Sequence, residues 1–558
     1  MSGAPRPHTV VFATTLAVLA AVPWTVRHWP SQDGQNHLAV AHILMHYGDP
    51  GSPFPQYLDI ETGLRPSTAI YEILGWLGRV MPLQTAEKLL VSLAIVLLPA
   101  SLLLLVRRAL PERTGNVLLA LPFAVGWALA MGFLSFLLGM GFGIVTLALG
   151  WDAARLTAGE GLGARPLRLR HALAAVAYLV CVAFHPAAAV ITALAFALLE
   201  WRNLFRTAEW PRVLVVLAPG ALYLVASYVA AGAAAPGQQS STPPVETHFS
   251  DPLTLIAGLF DYHLAYSLWE LVPRLAAVVL LVRFAYRGIR AYSPFGSTPE
   301  GAVARVVLCF VLLYCVTPMA LHGWFYASTR FLLFASLLLP AVAEIPAHIG
   351  RRLPVVAPVL AGAVLAVQWP DIRSSSQAMQ DILDVSASMP RGAKLVPMDF
   401  TARLFGPQPL GHAWAELVVA HDAIASQIFA AGKPRMGGER FRTLTLHAGV
   451  LDEAHGQLPW STYETWYDVV RKCGKNPLIA WLAFGASGDC ATLLAERKAT
   501  LDAVIDRYDY VLMLDPPDYG RDLIAPHLEL VDTKGLAWLY RVVEPKGREG
   551  ENASAPSP

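Results

Sequence analysis

An aspartate and a histidine four positions apart, Asp33 and His37, stand in the run Trp29-Pro30-Ser31-Gln32-Asp33-Gly34-Gln35-Asn36-His37-Leu38, just after the first hydrophobic segment. If the run is helical, that spacing puts both side chains on one face. A carboxylate at a membrane–water boundary can act as a general base toward a hydroxyl, and an imidazole beside it can orient it or contact a phosphate. The same aspartate also suits the N-cap of a helix that contains His37 and Leu38, where its oxygen would accept from an orphan backbone N–H. The two roles are compatible.

Further polar residues recur near the same boundary: His185 before Pro186, Asp261 and His263 at the end of the segment 232–263, and His322 and Arg330 around the turn 322–329. Ionisable groups at membrane depth are costly and tend to face a cavity or a partner. Arg330 is the best suited to a lipid phosphate, because a guanidinium binds phosphate in bidentate fashion and keeps its charge when partly buried. Its alternative is snorkelling to the interface, and for His185 the alternative is a hydrogen-bonded histidine at a hairpin tip. Gly139, Gly143 and Ser135 form a small-residue stripe of the kind that packs helices together. No Walker loop, HExxH, paired CxxC or nucleotide-binding glycine fingerprint stands at a supporting position, which argues against an enzyme of soluble nucleotides.

The elements that must position these residues are hydrophobic helices. The chain has 558 residues, of which 55% are hydrophobic and 15% charged, with a mean hydropathy of +0.46. So much apolar surface needs lipid around it. A helix crosses the hydrocarbon core with about 20 apolar residues. On that measure about eleven spans are expected, near 9–26, 86–106, 116–131, 133–150, 172–185, 186–200, 211–231, 264–283, 302–321, 328–345 and 353–369. The stretches 116–150 and 171–200 are too long for one span, and each breaks in the middle, at Met131-Gly132 and His185-Pro186. The first span resembles a signal peptide at Val18-Leu19-Ala20, but further spans follow and only Arg6 precedes it, so an uncleaved anchor is expected.

Basic residues of short loops are retained on the cytoplasmic side. Arg107, Arg108 and Arg113, then Arg155, Arg165, Arg168 and Arg170, then Arg202, Arg206 and Arg212, then Arg283, Arg287 and Arg290, then Arg351 and Arg352 fall in one alternating set of loops. The opposite set is nearly free of positive charge, with no Lys or Arg in 232–263. The expected topology is therefore a multi-pass protein of the cell (inner) membrane, with a cytoplasmic N-terminus and an extracytoplasmic C-terminal domain. Lys+Arg (42) and Asp+Glu (41) nearly cancel, so nothing in the charge suggests a nucleic-acid partner.

The expected domains are 1–370, helical and membrane-embedded with a large first outside loop 27–85; 371–544, a soluble α/β domain; and 545–558, a disordered tail rich in Gly, Ser, Ala and Pro. Helical segments are expected in the loop near 35–47 and 67–80. In the soluble domain, 394–400 and 508–515 read as buried strands and 372–388, 414–430 and 491–507 as amphipathic helices. Residues 528–543 read as a hairpin turning at Thr533-Lys534-Gly535. Cys181, Cys309 and Cys315 lie in hydrophobic runs as small apolar residues. Cys473 and Cys490 lie in the polar region, where a disulfide between them fits an oxidising compartment.

One span, a large first outside loop with an early Asp33, further spans with short connections and a trailing extracytoplasmic α/β domain together resemble the GT-C superfamily of membrane glycosyltransferases. The resemblance implies a polytopic α-helical, GT-C-like fold and transfer of a sugar from a polyprenyl-phosphate carrier to a glycan, lipid or protein acceptor at the outer face. It implies a catalytic acidic residue in the first outside loop, which maps to Asp33, with Glu61 or Asp59 as second candidates. His37, His185, His263, His322 and Arg330 are the expected substrate contacts. No cofactor is fixed by any motif, and a divalent metal ion is the one left open. The loop lacks an acidic doublet and the C-terminal domain lacks a Trp-Trp-Asp motif, which speaks against transfer of a whole oligosaccharide. The competing reading is a non-enzymatic transporter or assembly subunit for surface polysaccharide. Transporters usually carry an internal repeat, and none is visible here.

Overall fold

The computed structural model describes residues 7–60, 65–153, 169–201, 210–233, 247, 249–320, 326–401, 406–425, 444–446, 490–502, 505–517 and 528–543. The chain divides into two compact units. One takes Met1–Val26, Thr62–Ile372 and Pro434–Thr443; the other takes Arg27–Glu61, Arg373–Lys433 and Leu444–Pro558. Residues 27–61, expected with the membrane helices they interrupt, thus group with the C-terminal part of the chain.

In the first unit, each of the expected spans coincides with a helix. Six helical stretches are long and apolar enough to cross a membrane by length and composition: Pro7–Thr25, Leu83–Ala109, Pro111–Ala130, Trp210–Ser227, Pro299–Val316 and Leu353–Val385. Shorter apolar helices occupy Leu134–Gly150, Leu169–Phe184, Pro186–Leu199, Pro252–Asp261 and Ala327–Val342. The helix Leu271–Ala291 stands where the span 264–283 was expected. Large apolar side chains face outward along them, with Leu222 69% and Val355 67% exposed. Such surface is stable only against lipid or another apolar partner. The breaks fall where expected: Gly132 takes the left-handed conformation, φ +79°, and His185 is extended at the start of Pro186–Leu199. The glycine stripe is a packing face. A Cβ at Gly139 would stand 3.1 Å from Ala188 Cβ, and one at Gly143 would overlap the Thr192 hydroxyl.

Three elements differ from expectation. The stretch from Pro111 is a 3-10 helix as far as Phe123 and becomes α-helical only over Trp127–Ala130. The helix Pro252–Asp261, capped by the Asp251 side chain, lies inside what was read as a plain loop. The last span and the amphipathic segment 372–388 are one helix, Leu353–Val385, which runs through both Pro358 and Pro370. A proline inside a helix removes one ladder bond and favours a kink without ending the helix when both flanks favour it.

The second unit holds a four-stranded mixed sheet in the order β2-β4-β6-β5: β2 (Leu395–Asp399), β4 (Tyr510–Leu514), β5 (Leu528–Lys534) and β6 (Ala537–Val542). β2 runs parallel to β4 and β6 runs antiparallel to it. β4 is buried along its whole length, as expected of a strand with a near-continuous apolar run. β5 carries Glu529, Asp532 and Lys534, charges that guard an edge strand. The hairpin turns through Gly535 at φ +55°, and Lys534 Nζ lies 2.5 Å from Asp384 Oδ2. A two-stranded pair, β1 (Leu58–Ile60) with β3 (Leu444–Leu446), had no counterpart in the expectations. The expected helix 414–430 is a 3-10 turn followed by Glu416–His421, which Asp422 closes in the left-handed conformation at φ +53°. The expected helix 491–507 is Cys490–Asp502 with a 3-10 turn at Ile505–Arg507. Cys490 is disulfide-bonded and Cys181, Cys309 and Cys315 are free. Cys473 and the tail 545–558 lie outside the described residues.

Candidate functional site

Asp33 occupies the N-cap position of the helix Gly34–His46, and its backbone carbonyl accepts the first intrahelical bond from the His37 N–H at 3.1 Å. Its carboxylate, however, makes no capping hydrogen bond. The carboxylate instead lies 3.6 Å from His412 Nε2, with 18% of the Asp33 side chain exposed and 14% of that of His412. A carboxylate so placed is both reachable and held beside a proton-carrying group. His37 is half-buried one turn along the helix.

The His412 ring is fixed from two further sides. Its Nδ1 lies 3.4 Å from Asn36 Nδ2, and its edge meets the Trp414 ring at 6.0 Å between centroids. Asn36 is fully buried, as are Gln35 and Trp29 next to it, and the Gln35 amide donates to the Trp29 carbonyl at 2.7 Å. The Gln408 backbone N–H donates to Gln32 Oε1 at 2.9 Å.

Two more histidine–carboxylate pairs join the same two segments. His28 Nδ1 lies 3.2 Å from Glu416 Oε1, its Nε2 3.3 Å from Gln380 Oε1, and its backbone N–H donates to Ser376 Oγ at 3.1 Å. His42 Nε2 lies 2.8 Å from Asp422 Oδ1, and the Arg391 guanidinium donates to the other oxygen of Asp422. Thus His28–Glu416, Asp33–His412 and His42–Asp422 form three rungs between residues 28–42 and 412–422. Burial and removal of the charge-stabilising solvent would push the Asp422 carboxyl up, but the hydrogen bonds and charges of His42 and Arg391 outweigh this and hold it below its ordinary value. Burial lowers the His42 imidazole, against the opposing pull of Asp422.

A histidine held below its ordinary value binds its proton less tightly folded than unfolded, so stability rises with pH until the unfolded value near 6.5 is passed. The Asp422 contribution has the same sign but is lost only below about pH 4. Acidification from pH 7 to pH 5 is therefore expected to lower the melting temperature, and His42→Gln should flatten that slope. An unchanged slope in the variant would remove His42 as its source.

In the helical unit, the Arg330 guanidinium lies over the Phe133 and Phe136 rings at 5.3 and 5.5 Å. The His185 ring meets Phe136 edge-on at 5.4 Å, and its Nδ1 accepts from the Ala187 N–H at 3.2 Å as an N-cap. Arg330 and His185 are thus brought together on one aromatic ring. The His263 ring lies 6.3 Å from the Phe123 ring. The unit also holds a buried charge pair absent from the expectations. Glu270 and Arg274 are 0% and 1% exposed. The Glu270 carboxylate accepts from the Tyr266 and Ser267 N–H groups at 2.6 and 2.8 Å, from Arg274 Nε at 2.8 Å and from Gln368 Nε2 at 2.8 Å. Glu61 and His322 lie outside the described residues. Asp59 sits in β1 opposite Thr445 of β3. Among the described residues, no three His, Cys, Asp or Glu side chains are gathered for a metal ion.

No family model and no curated protein matches the chain. Solved structures do. ArnT from Cupriavidus metallidurans in the apo state is similar over 96% of this chain and 98% of its own, at 12% identity and a TM-score of 0.49. The same protein bound to undecaprenyl phosphate is similar over 96% and 97%, at 13% identity and a TM-score of 0.39. The arabinofuranosyltransferase AftD from Mycobacteria is similar over 97% of this chain and 42% of its own, at 14% identity and a TM-score of 0.45.

His412, Glu416 and Asp422 were missed as site residues because nothing local distinguishes them: they lie in or beside two short helical turns of ordinary composition. Asn36 stands in the inspected run, yet its role depends on His412. Their only signal is long-range pairing, which a single sequence does not display.

Proposed function

We propose that the protein is a membrane glycosyltransferase that moves a sugar from a polyprenyl-phosphate carrier to a hydroxyl-bearing acceptor at the outer face of the membrane. The observation that supports this best is the Asp33 carboxylate, which occupies a helix N-cap position without capping the helix and is partly exposed beside an imidazole. Its partial exposure lets an acceptor hydroxyl approach it. The organisation of the chain, with this aspartate at the head of the first loop, supports the same reading.

In this reaction Asp33 takes the proton of the acceptor hydroxyl as its oxygen forms a bond to the anomeric carbon of the sugar. The bond from that carbon to the phosphate oxygen breaks, and polyprenyl phosphate leaves with the electron pair. In the helical unit, Arg330 is the group proposed for the lipid phosphate, since a guanidinium needs no proton to stay charged; His185, His263 and His322 are proposed as further donor contacts and His37 as a contact near Asp33. Glu61 is kept as the second acidic candidate, and a divalent metal ion as the cofactor to test by chelation.

The proposed side of the membrane has its own test. A reporter that fluoresces only in the cytoplasm, fused after Val543, should stay dark; a bright signal would overturn the outer-face reading. Function is tested in proteoliposomes by supplying polyprenyl-phosphate-linked pentoses and hexoses and measuring free polyprenyl phosphate. Release that depends on a hydroxyl acceptor is expected, and passage of intact lipid-linked sugar across the bilayer without release would favour a transporter.

A further inference from the structure

We propose that His412 is the positioning residue of Asp33: it offers Nε2–H to the carboxylate and keeps it ionised and aimed, while Asn36 and Trp414 hold its ring. The inference rests on the reading of Asp33 as the base, which it deepens.

The geometry fixes the roles. Asn36 Nδ2 lies 3.4 Å from His412 Nδ1. An amide nitrogen only donates, so with Asn36 in this orientation Nδ1 is the acceptor and the ring proton sits on Nε2. That is the nitrogen 3.6 Å from Asp33 Oδ1. The separation is longer than a hydrogen bond, as pairs often are before substrate closes a site. An adjacent N–H, or a protonated imidazole, favours the charged form of a carboxylate, and a base must be charged to accept a proton.

The surroundings hold this pair in place. Asn36 is on the helix that Asp33 opens, so donor and carboxylate move as one piece. His412 is followed by the 3-10 turn Ala413–Ala415 and the helix Glu416–His421, and Glu416, 1% exposed, is held by His28. Gln32 and Gln408 bind the two segments directly ahead of Asp33 and His412. The carboxylate of Asp33 lies by the Nε2 of His412. His28–Glu416 and His42–Asp422 are enclosed pairs; Asp33–His412 is the rung with an exposed edge on both partners.

The test reads the pair first without any sugar. In Asp33→Cys the thiol takes the place of the carboxylate, and a neighbouring imidazole favours thiolate. Alkylation of this cysteine by iodoacetamide at pH 7, followed by mass spectrometry of its peptide, should be about tenfold faster than in Asp33→Cys/His412→Ala, as one pK unit implies. Equal rates, with both proteins melting alike, would overturn the proposal. The second arm uses turnover. His412→Ala should lower kcat about 10–100-fold with KM kept. His412→Gln, whose amide places a neutral N–H close to the same point, should recover most of that loss. In an Asp33→Asn background, His412→Ala should cost less than about twofold, because the two act as a unit. An undiminished loss in that background would show that His412 acts elsewhere. Full activity of Asp33→Asn itself would sink the base reading, while the alkylation result would still stand or fall by itself.

Discussion

Asp33→Asn should lower sugar transfer by about 10²–10⁴-fold, the usual worth of a general base, while the melting temperature stays at that of the parent. The substitution changes little but charge. Asn has the same shape and is as good an N-cap as Asp, so the start of Gly34–His46 is preserved. Because the Asp33 carboxylate makes no capping bond, Asp33→Ala should not show the loss of about 1 kcal/mol that removal of a working cap brings. The two variants together separate the roles: loss of activity in both with parental melting fits the base, and loss of stability in Asp33→Ala alone fits the cap. Full transfer by Asp33→Asn would move the search to Glu61 and Asp59, of which Asp59 pairs with Thr445 in a strand.

A second large effect is expected far from any chemistry. Arg274→Met should destabilise the protein by about 3–5 kcal/mol, because it leaves the Glu270 carboxylate buried with its charge uncompensated. Three backbone N–H groups, of Ala265, Tyr266 and Ser267, and Gln368 still donate to it, which softens the loss without cancelling it. Glu270→Gln/Arg274→Met should regain most of the difference, since a buried pair can often be replaced as a whole at little cost. Thermal melting of detergent-purified protein decides this. If the double variant melts no higher than Arg274→Met alone, the damage comes from lost packing and the charge argument fails.

What was legible in the sequence follows from the range of each signal. Apolar runs show the membrane helices, because every residue of a lipid-facing helix reports its own environment. Gly132 and the His185-Pro186 step mark their breaks by local backbone chemistry. The strands near 394–400 and 508–515 and the hairpin at Gly535 were readable for the same reason. Glu270 and Arg274 were hidden inside the run taken as the span 264–283, where two charges are tolerated once they bind each other. A domain boundary was expected after residue 370, yet the helix Leu353–Val385 passes through it. The i, i+4 rule drew attention to His37 as the partner of Asp33. Asp33 precedes the first helical residue instead of lying on a helix face, and the ring that approaches its carboxylate comes from His412. The partner that mattered was beyond the reach of any periodicity.

The rungs between residues 28–42 and 412–422 also set a timetable for biosynthesis. Asn36 and His412 are separated by 376 positions, and at about 5–20 residues per second a ribosome needs roughly 20–75 s to cover them. For that interval Asp33, His28 and His42 exist without the side chains that will hold them, and β1 waits longer still for β3 to be made. A nascent chain thus carries Asp33 early and gains the imidazole beside it late. Any product that stops before the 412–422 segment lacks all three rungs.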